Sequence, residues 1–128
     1  MKNKIAAVQT FHTTYNLGYK ETPTADIGMA KNLLRYELMR EENEEYLEAA
    51  KNNDLVEVAD ALGDMLYILC GTIIEHGMQH KIEEVFNEIQ RSNMSKLGAD
   101  GKPIYREDGK VLKGPNYFKP NIKAILEK

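Results

Sequence analysis

Cysteine and long apolar runs are scarce in this chain of 128 residues. The single cysteine, Cys70, has no partner for a disulfide bond or a thiolate zinc site, so the sequence does not call for an oxidising compartment. The longest apolar stretch, Met65 to Ile74, contains Gly71 and is far too short to span a bilayer. The N-terminus lacks the apolar segment of a signal peptide. We therefore expect a soluble, cytoplasmic protein with no membrane partner.

The Glu-x-x-His spacing of the di-iron helix bundles is also absent. Those proteins use Glu-x-x-His on two helices, and none of His12, His76 and His80 follows an acidic residue by three positions. If the chain binds a metal, the sequence favours a site built from oxygen ligands.

Apolar residues at helical spacing predict four helices. We expect them to cover Lys4 to about Tyr15, about Asp26 to Lys51, about Asp54 to His76 and about Lys81 to Lys96. Thr24 is a candidate N-cap for the second helix. Asp54, with Glu57 three residues later, forms an acidic version of the capping box for the third.

From Leu97 onward the chain is rich in Gly, Pro and Lys, and Ile104 to Leu112 can form a small hairpin around Asp108-Gly109. The expected fold is all-α: a four-to-five-helix bundle with an irregular basic C-terminal arm or small hairpin at about 97–128. The length suits one domain over residues 1–128.

Five glutamates crowd the stretch REENEEYLEAA of the second helix. At about 100° per residue, Glu42 falls at the centre of the apolar face, and Glu45 and Arg35 fall within that face, whereas Glu44 points to solvent. The apolar residues of that face are Leu34, Leu38, Met39, Tyr46 and Ala49. A run of glutamates is most often a solvated helix face, and that explanation suits Glu44 as well as Glu41 and Glu48, which lie at the border of the apolar face. It does not suit Glu42.

The third helix is apolar on nearly every side, which predicts a buried helix. The exception is an acidic strip, with Gly71 leaving space among its carboxylates. The strip consists of Glu57, Asp60, Asp64 and Glu75. Unpaired buried carboxylates cost several kcal/mol, and the chain has too few bases nearby to pair them.

A hard divalent ion, Mg²⁺ or Mn²⁺, would balance these charges with oxygen ligands. The spacing places Glu42 and Glu45 on one helix opposite Asp60 and Asp64 on the next. Glu57 is a further candidate ligand, although the N3 position of the helix cap explains it equally well.

The stretches EENEEYLEAA and DLVEVADALGDMLYILCGT resemble the all-alpha nucleoside triphosphate pyrophosphohydrolases, the MazG-like superfamily that includes phosphoribosyl-ATP pyrophosphohydrolase and the dimeric dUTPases. The EExxE motif of that superfamily is matched by EENEE, that is, Glu41, Glu42 and Glu45. Its second acidic motif is matched either by Glu57 and Asp60, or by Asp64 with Ala61 in the glutamate position. The FHTTYN segment, Arg35 and the stretch SNMSKLGADGKPIYREDGKVLKGPNYFKP resemble the phosphoribosyl-ATP pyrophosphohydrolase-like subgroup.

The resemblance implies hydrolysis of a nucleoside triphosphate between the α and β phosphates, with Mg²⁺ bound by the carboxylates. It leaves open whether the substrate is an NTP, a dNTP or phosphoribosyl-ATP. Glu45 or Glu41 would accept the proton of the attacking water. Candidates for stacking on the base are Tyr15, Tyr67 and Phe11.

Positive charge concentrates at the other end of the chain, where residues 91–128 contain nine basic and four acidic residues. Asn93 and Lys96 continue the apolar stripe of the fourth helix, so we expect them to point toward the triphosphate. Lys110 and Lys113 would close over the phosphates. Together with Arg35 they are the predicted substrate-binding residues.

The apolar third helix and the resemblance both suggest a homodimer or homotetramer. Bases interleaved with acids are a weak sign of nucleic-acid binding, and none is expected. The alternative function is a non-catalytic, divalent-cation-dependent nucleotide-binding or helical interaction protein.

Overall fold

The computed structural model describes all 128 residues, and these form two compact units. The N-terminal unit is Met1–His80 and the C-terminal unit is Lys81–Lys128. Most residues are helical and the sheet has two strands, so the all-α class is confirmed. That both units belong to one domain stays a prediction.

The N-terminal unit contains α1 (Lys2–Thr14), α2 (Met29–Lys51) and α3 (Leu55–Glu75). The C-terminal unit contains α4 (Ile82–Asn93), a 3₁₀ turn (Met94–Lys96), β1 (Ile104–Tyr105), β2 (Val111–Leu112) and α5 (Ile122–Leu126). None of the helices combines the length and the apolar character needed to cross a lipid bilayer.

The start of α2 differs from the prediction. The N-cap is Gly28, whose φ of 93° suits glycine, and its N–H donates to Asp26 Oδ1 at 2.9 Å. Asp26 therefore belongs to the turn before the helix. Thr24 as N-cap is wrong, because its hydroxyl donates instead to the Thr22 carbonyl at 2.8 Å.

A tight connection joins α2 to α3 and makes them antiparallel neighbours. Asp54 is the N-cap of α3, as predicted, and accepts a hydrogen bond from the Glu57 N–H at 3.1 Å. The Asp54 N–H donates to the Ala49 carbonyl at 3.0 Å, so the cap leaves the Glu57 side chain free. Asn53, with φ of 52°, reverses the chain between the helices.

The core of the N-terminal unit lies along the contacts of α3 with α1 and α2, and most of its α3 residues come from the C-terminal half of that helix. It contains Ile5, Val8, Ala49, Ala61, Cys70, Ile73 and Ile74. In the single chain α3 is not covered on every side: Leu55 is 79% exposed, Val56 75% and Leu62 51%. Its complete burial depends on the expected oligomer and stays a prediction. Two neighbouring helices are too few to surround a third.

The predicted apolar face of α2 is likewise only partly covered. Ala49 is buried, Leu38 and Met39 are half-buried, and Leu34 and Tyr46 are exposed.

In the C-terminal unit the predicted hairpin is present, with Ile104 opposite Leu112 and Tyr105 opposite Val111. The fourth helix ends at Asn93, and Lys96 lies in the 3₁₀ turn rather than in the helix. The short helix α5 was not among the four predicted helices. Its only local signal is Asn121, which caps it by accepting from the Ala124 N–H at 3.3 Å.

Candidate active site

The α2–α3 pair brings four carboxylates of the predicted site together, and we call Glu42, Glu45, Asp60 and Asp64 the acidic cluster. Glu42 is half-buried, and its Oε2 atom has no hydrogen-bond donor. Burial raises the pKa of Glu42 to about 7, helped by the neighbouring carboxyl of Glu45 and by the charges of Asp64 and Asp60. Below about pH 7, Glu42 is therefore mainly protonated, which lessens its repulsion with the neighbouring carboxylates.

The surroundings of the cluster are more open than the sequence suggested. Glu45, Glu57, Asp60 and Asp64 are exposed, so the prediction of a buried acidic strip is wrong for these residues. The N-terminal half of α3 is covered on one side only, which leaves its acidic face in contact with water. Solvent thus weakens the repulsion among the carboxylates of the cluster, and this repulsion is strongest at Glu42.

A cleft of about 220 Å³ adjoins the cluster, between the C-terminal half of α2 and the N-terminal half of α3. This acidic cleft is lined by Glu45, Glu48, Ala49, Asn52, Asp54, Glu57 and Asp60. The sequence placed Glu48 at the border of the solvent face and assigned Asp54 to capping alone. In the sequence, the one sign that Glu48 would share the cleft was its position three residues after Glu45.

Glu41 is exposed and does not line the acidic cleft. Glu45 belongs to both the cluster and the cleft. Of the two candidates for accepting a proton from water, Glu45 is the one held next to the other carboxylates. The catalytic role of either residue stays a prediction.

The acidic cluster has the chemistry that a hard divalent ion requires, because its ligands are carboxylate oxygens and one of them lacks a donor. No group of three or more His, Cys, Asp or Glu side chains is arranged around a common ion position, however. The carboxylates interact without being preassembled, so ion binding would require side-chain rotation.

Glu75 does not join the acidic cluster. It is 5% exposed and lies within 3.6 Å of Arg35 Nε and 3.8 Å of Lys31 Nζ. The guanidinium of Arg35 is buried as well; Nε donates to Thr72 Oγ1 at 3.1 Å and Nη2 to the Ile68 carbonyl at 2.9 Å. Burial lowers the pKa of Arg35, and the charge of Glu75 opposes this shift.

Gly71 does leave space, as predicted, but for Arg35 and not for carboxylates. A Cβ atom at this position would lie 2.5 Å from Arg35 Nη2 and 3.0 Å from His12 Nε2. Close packing of the guanidinium against the α3 backbone therefore depends on glycine here.

A second cavity, of about 310 Å³, lies between α1, α2 and α3, and we call it the aromatic groove. It is lined by Phe11, His12, Leu17, Lys31, Leu34, Arg35, Leu38, Tyr67, Ile68 and Glu75. The rings of Phe11 and Tyr67 meet edge to face at 5.6 Å. Leu38 precedes Glu42 by one helical turn and Ile68 follows Asp64 by one turn, so the groove adjoins the acidic cluster.

The other predicted substrate-binding residues belong to the C-terminal unit. Asn93 is exposed at the end of α4, and Lys96 is half-buried in the 3₁₀ turn. Lys110 is exposed in the hairpin, and the Lys113 ammonium lies 4.8 Å from the centre of the Tyr117 ring. Contact of these side chains with a substrate stays a prediction.

Two antiparallel helices with facing carboxylates define the chain as an all-α protein with an acidic site. The sequence model described as "Phosphoribosyl-ATP pyrophosphohydrolase" matches residues 8–93, which include both acidic helices. The chain belongs to this family, and the resemblance read from its motifs is confirmed.

Among solved structures, 24 chains match significantly. One is a candidate NTP pyrophosphohydrolase from Exiguobacterium sp. 255-15, which is 27% identical, with a TM-score of 0.48 over 98% of this chain and 94% of that chain. No curated protein matches at a significant level.

Proposed function

We propose that this protein is a nucleoside triphosphate pyrophosphohydrolase that depends on Mg²⁺ or Mn²⁺ and releases a nucleoside monophosphate and pyrophosphate. The observation that carries the proposal is the environment of Glu42, whose pKa is raised to about 7 among three other carboxylates. Such a cluster is unfavourable in the absence of a cation, and family membership supplies the reaction class.

Glu42, Glu45, Asp60 and Asp64 would hold the ion, which when bound neutralises phosphate charge and makes a water molecule more acidic. Glu57 fits as an additional ligand, since the α3 cap uses only its backbone N–H and its side chain lines the acidic cleft. The cap and ligand roles, which were alternatives at the level of sequence, are therefore compatible.

Glu45 is the better candidate for the general base because it lines the cleft, whereas Glu41 does not. The aromatic groove would receive the nucleoside, with Tyr67 and Phe11 against the base. Its volume of about 310 Å³ suits a small ring system. Arg35 would contact the substrate from the wall of this groove. The phosphates would be bound by Asn93, Lys96, Lys110 and Lys113.

A homodimer or homotetramer is part of the proposal. Leu55, Val56 and Leu62 leave one side of α3 apolar and exposed, as expected for a surface that a second subunit covers.

The test is pyrophosphate release from a panel of canonical and modified NTPs and dNTPs together with phosphoribosyl-ATP, with Mg²⁺ and with EDTA. Turnover of at least one substrate that stops in EDTA and in Glu42→Gln or Asp64→Asn would support the proposal. Glu44→Gln is the matched control, because Glu44 lies on the solvent face of α2 and pairs with Arg40. Nucleotide binding without turnover would instead favour the non-catalytic alternative.

A further inference from the structure

Glu75 is a buried carboxylate whose hydrogen-bonding capacity is not used. Its Oε2 atom is shielded from water and has no donor, although buried acceptors are almost always paired. It is also the last residue of α3, where the negative end of the helix dipole disfavours an anion. Both features oppose stability.

The neighbouring cations balance the charge of Glu75 but do not satisfy Oε2. Arg35 Nε lies 3.6 Å away, beyond hydrogen-bond distance, and donates to Thr72 instead. Lys31 approaches the other oxygen, Oε1, at 3.8 Å and is half exposed. The two cations thus hold the carboxylate in place and leave Oε2 without a donor.

That carboxylate lines the aromatic groove. Groove walls that are mainly apolar and aromatic, with a few fixed polar groups, are typical of sites that orient a small planar ligand. A nucleotide with its phosphates at the acidic cluster would bring its base to this groove, one helical turn away. The inference therefore rests on the proposed function.

We infer that Glu75 is a specificity-determining residue. Once rotation of its side chain turns the oxygen without a donor toward the groove, its carboxylate accepts a hydrogen bond from an N–H group on the edge of the substrate's base. Arg35 and Lys31 act as positioning residues that keep this carboxylate oriented. Because a carboxylate can only accept, bases that offer an N–H at this point are selected over analogues that lack one.

The test measures binding of nucleosides in EDTA by NMR titration, so that neither metal nor phosphate takes part. Each common nucleoside is compared with analogues in which one ring N–H or amino group is replaced by C–H or hydrogen. For the wild-type protein, one such replacement should weaken binding roughly tenfold or more, as expected for a hydrogen bond to a charged group.

Glu75→Asp keeps the charge beside Arg35 but withdraws the carboxylate. In this variant the ratio between the affinities for the nucleoside and for its analogue should fall below about threefold. Glu75→Gln, which keeps the size, should reduce it as well, and it serves as the second variant if the first fails to fold. Glu44→Asp is the matched control and should retain the wild-type ratio, since Glu44 is exposed on another face.

An unchanged ratio in a folded Glu75 variant, or no wild-type preference for an N–H, would overturn the inference. So would a lack of binding by every nucleoside. Discrimination that depends on Glu75 without pyrophosphate release would refute only the proposed hydrolysis. Pyrophosphate release without such discrimination would refute only the role of Glu75.

Discussion

Replacing Glu42 by Gln should stabilise the protein in the absence of metal while abolishing its activity. The pKa of Glu42 is raised from 4.5 to about 7, so the folded chain retains a proton that the unfolded chain releases between these values. The stability that this proton contributes is complete below about pH 4.5 and is lost as the pH rises through about 7. The full shift corresponds to at most about 3–4 kcal/mol, and screening by solvent reduces this to about 1–2 kcal/mol.

Glutamine removes the charge and keeps the shape, so at pH 8 the variant should be more stable than the wild type by about 1–2 kcal/mol. For a chain of this length that is an increase of several degrees in Tm. Unfolding by urea from pH 4 to 8 in EDTA measures the effect, and the two stability curves should separate as the pH rises. Glu44→Gln should run parallel to the wild type across the range. If Glu42→Gln were destabilising at pH 8, or if the separation did not depend on pH, the electrostatic account of this residue would be wrong.

Three further predictions use stability or ligand binding as the readout. Gly71→Ala should destabilise the protein by about 1–3 kcal/mol in urea titration, because its Cβ would meet the Arg35 guanidinium. Gly63→Ala on the same helix has open space and should be neutral or stabilising by up to about 1 kcal/mol, so a similar loss of stability in both variants would contradict the packing argument. Asp54→Ala should cost about 1 kcal/mol through loss of the α3 cap, and Asp54→Asn should recover most of it in the same assay. Addition of Mg²⁺ should raise the Tm of the wild type and release protons below about pH 7, which calorimetry in two buffers would detect. Asp64→Asn should weaken both effects, and a Tm that does not change with Mg²⁺ would count against the metal site.

Helical periodicity predicted α2 and α3 well because the capping and apolar spacing that define them are local. Asp54 as N-cap and the convergence of Glu42 with Asp60 and Asp64 follow from sequence alone. The start of α2 does not, since Gly28 takes a positive φ in a turn closed by Asp26.

The position of Glu75 shows where a helical wheel misleads. Projection down the axis placed Glu75 in one strip with Asp60, but fifteen residues of helix separate them by about 22 Å along that axis. They share a face without sharing a site, so Glu75 pairs with Arg35 instead. Periodicity also cannot tell whether a neighbour covers a face, which is why Leu55 and Val56 are exposed.

The burial of Cys70 makes this chain convenient for site-directed labelling. Its side chain is 1% exposed, and burial raises the pKa of the thiol, so little reactive thiolate is present. Maleimide dyes should therefore ignore the native sulfur. A cysteine introduced at an exposed position could carry a fluorophore without first removing Cys70, and the folded core would act as the protecting group.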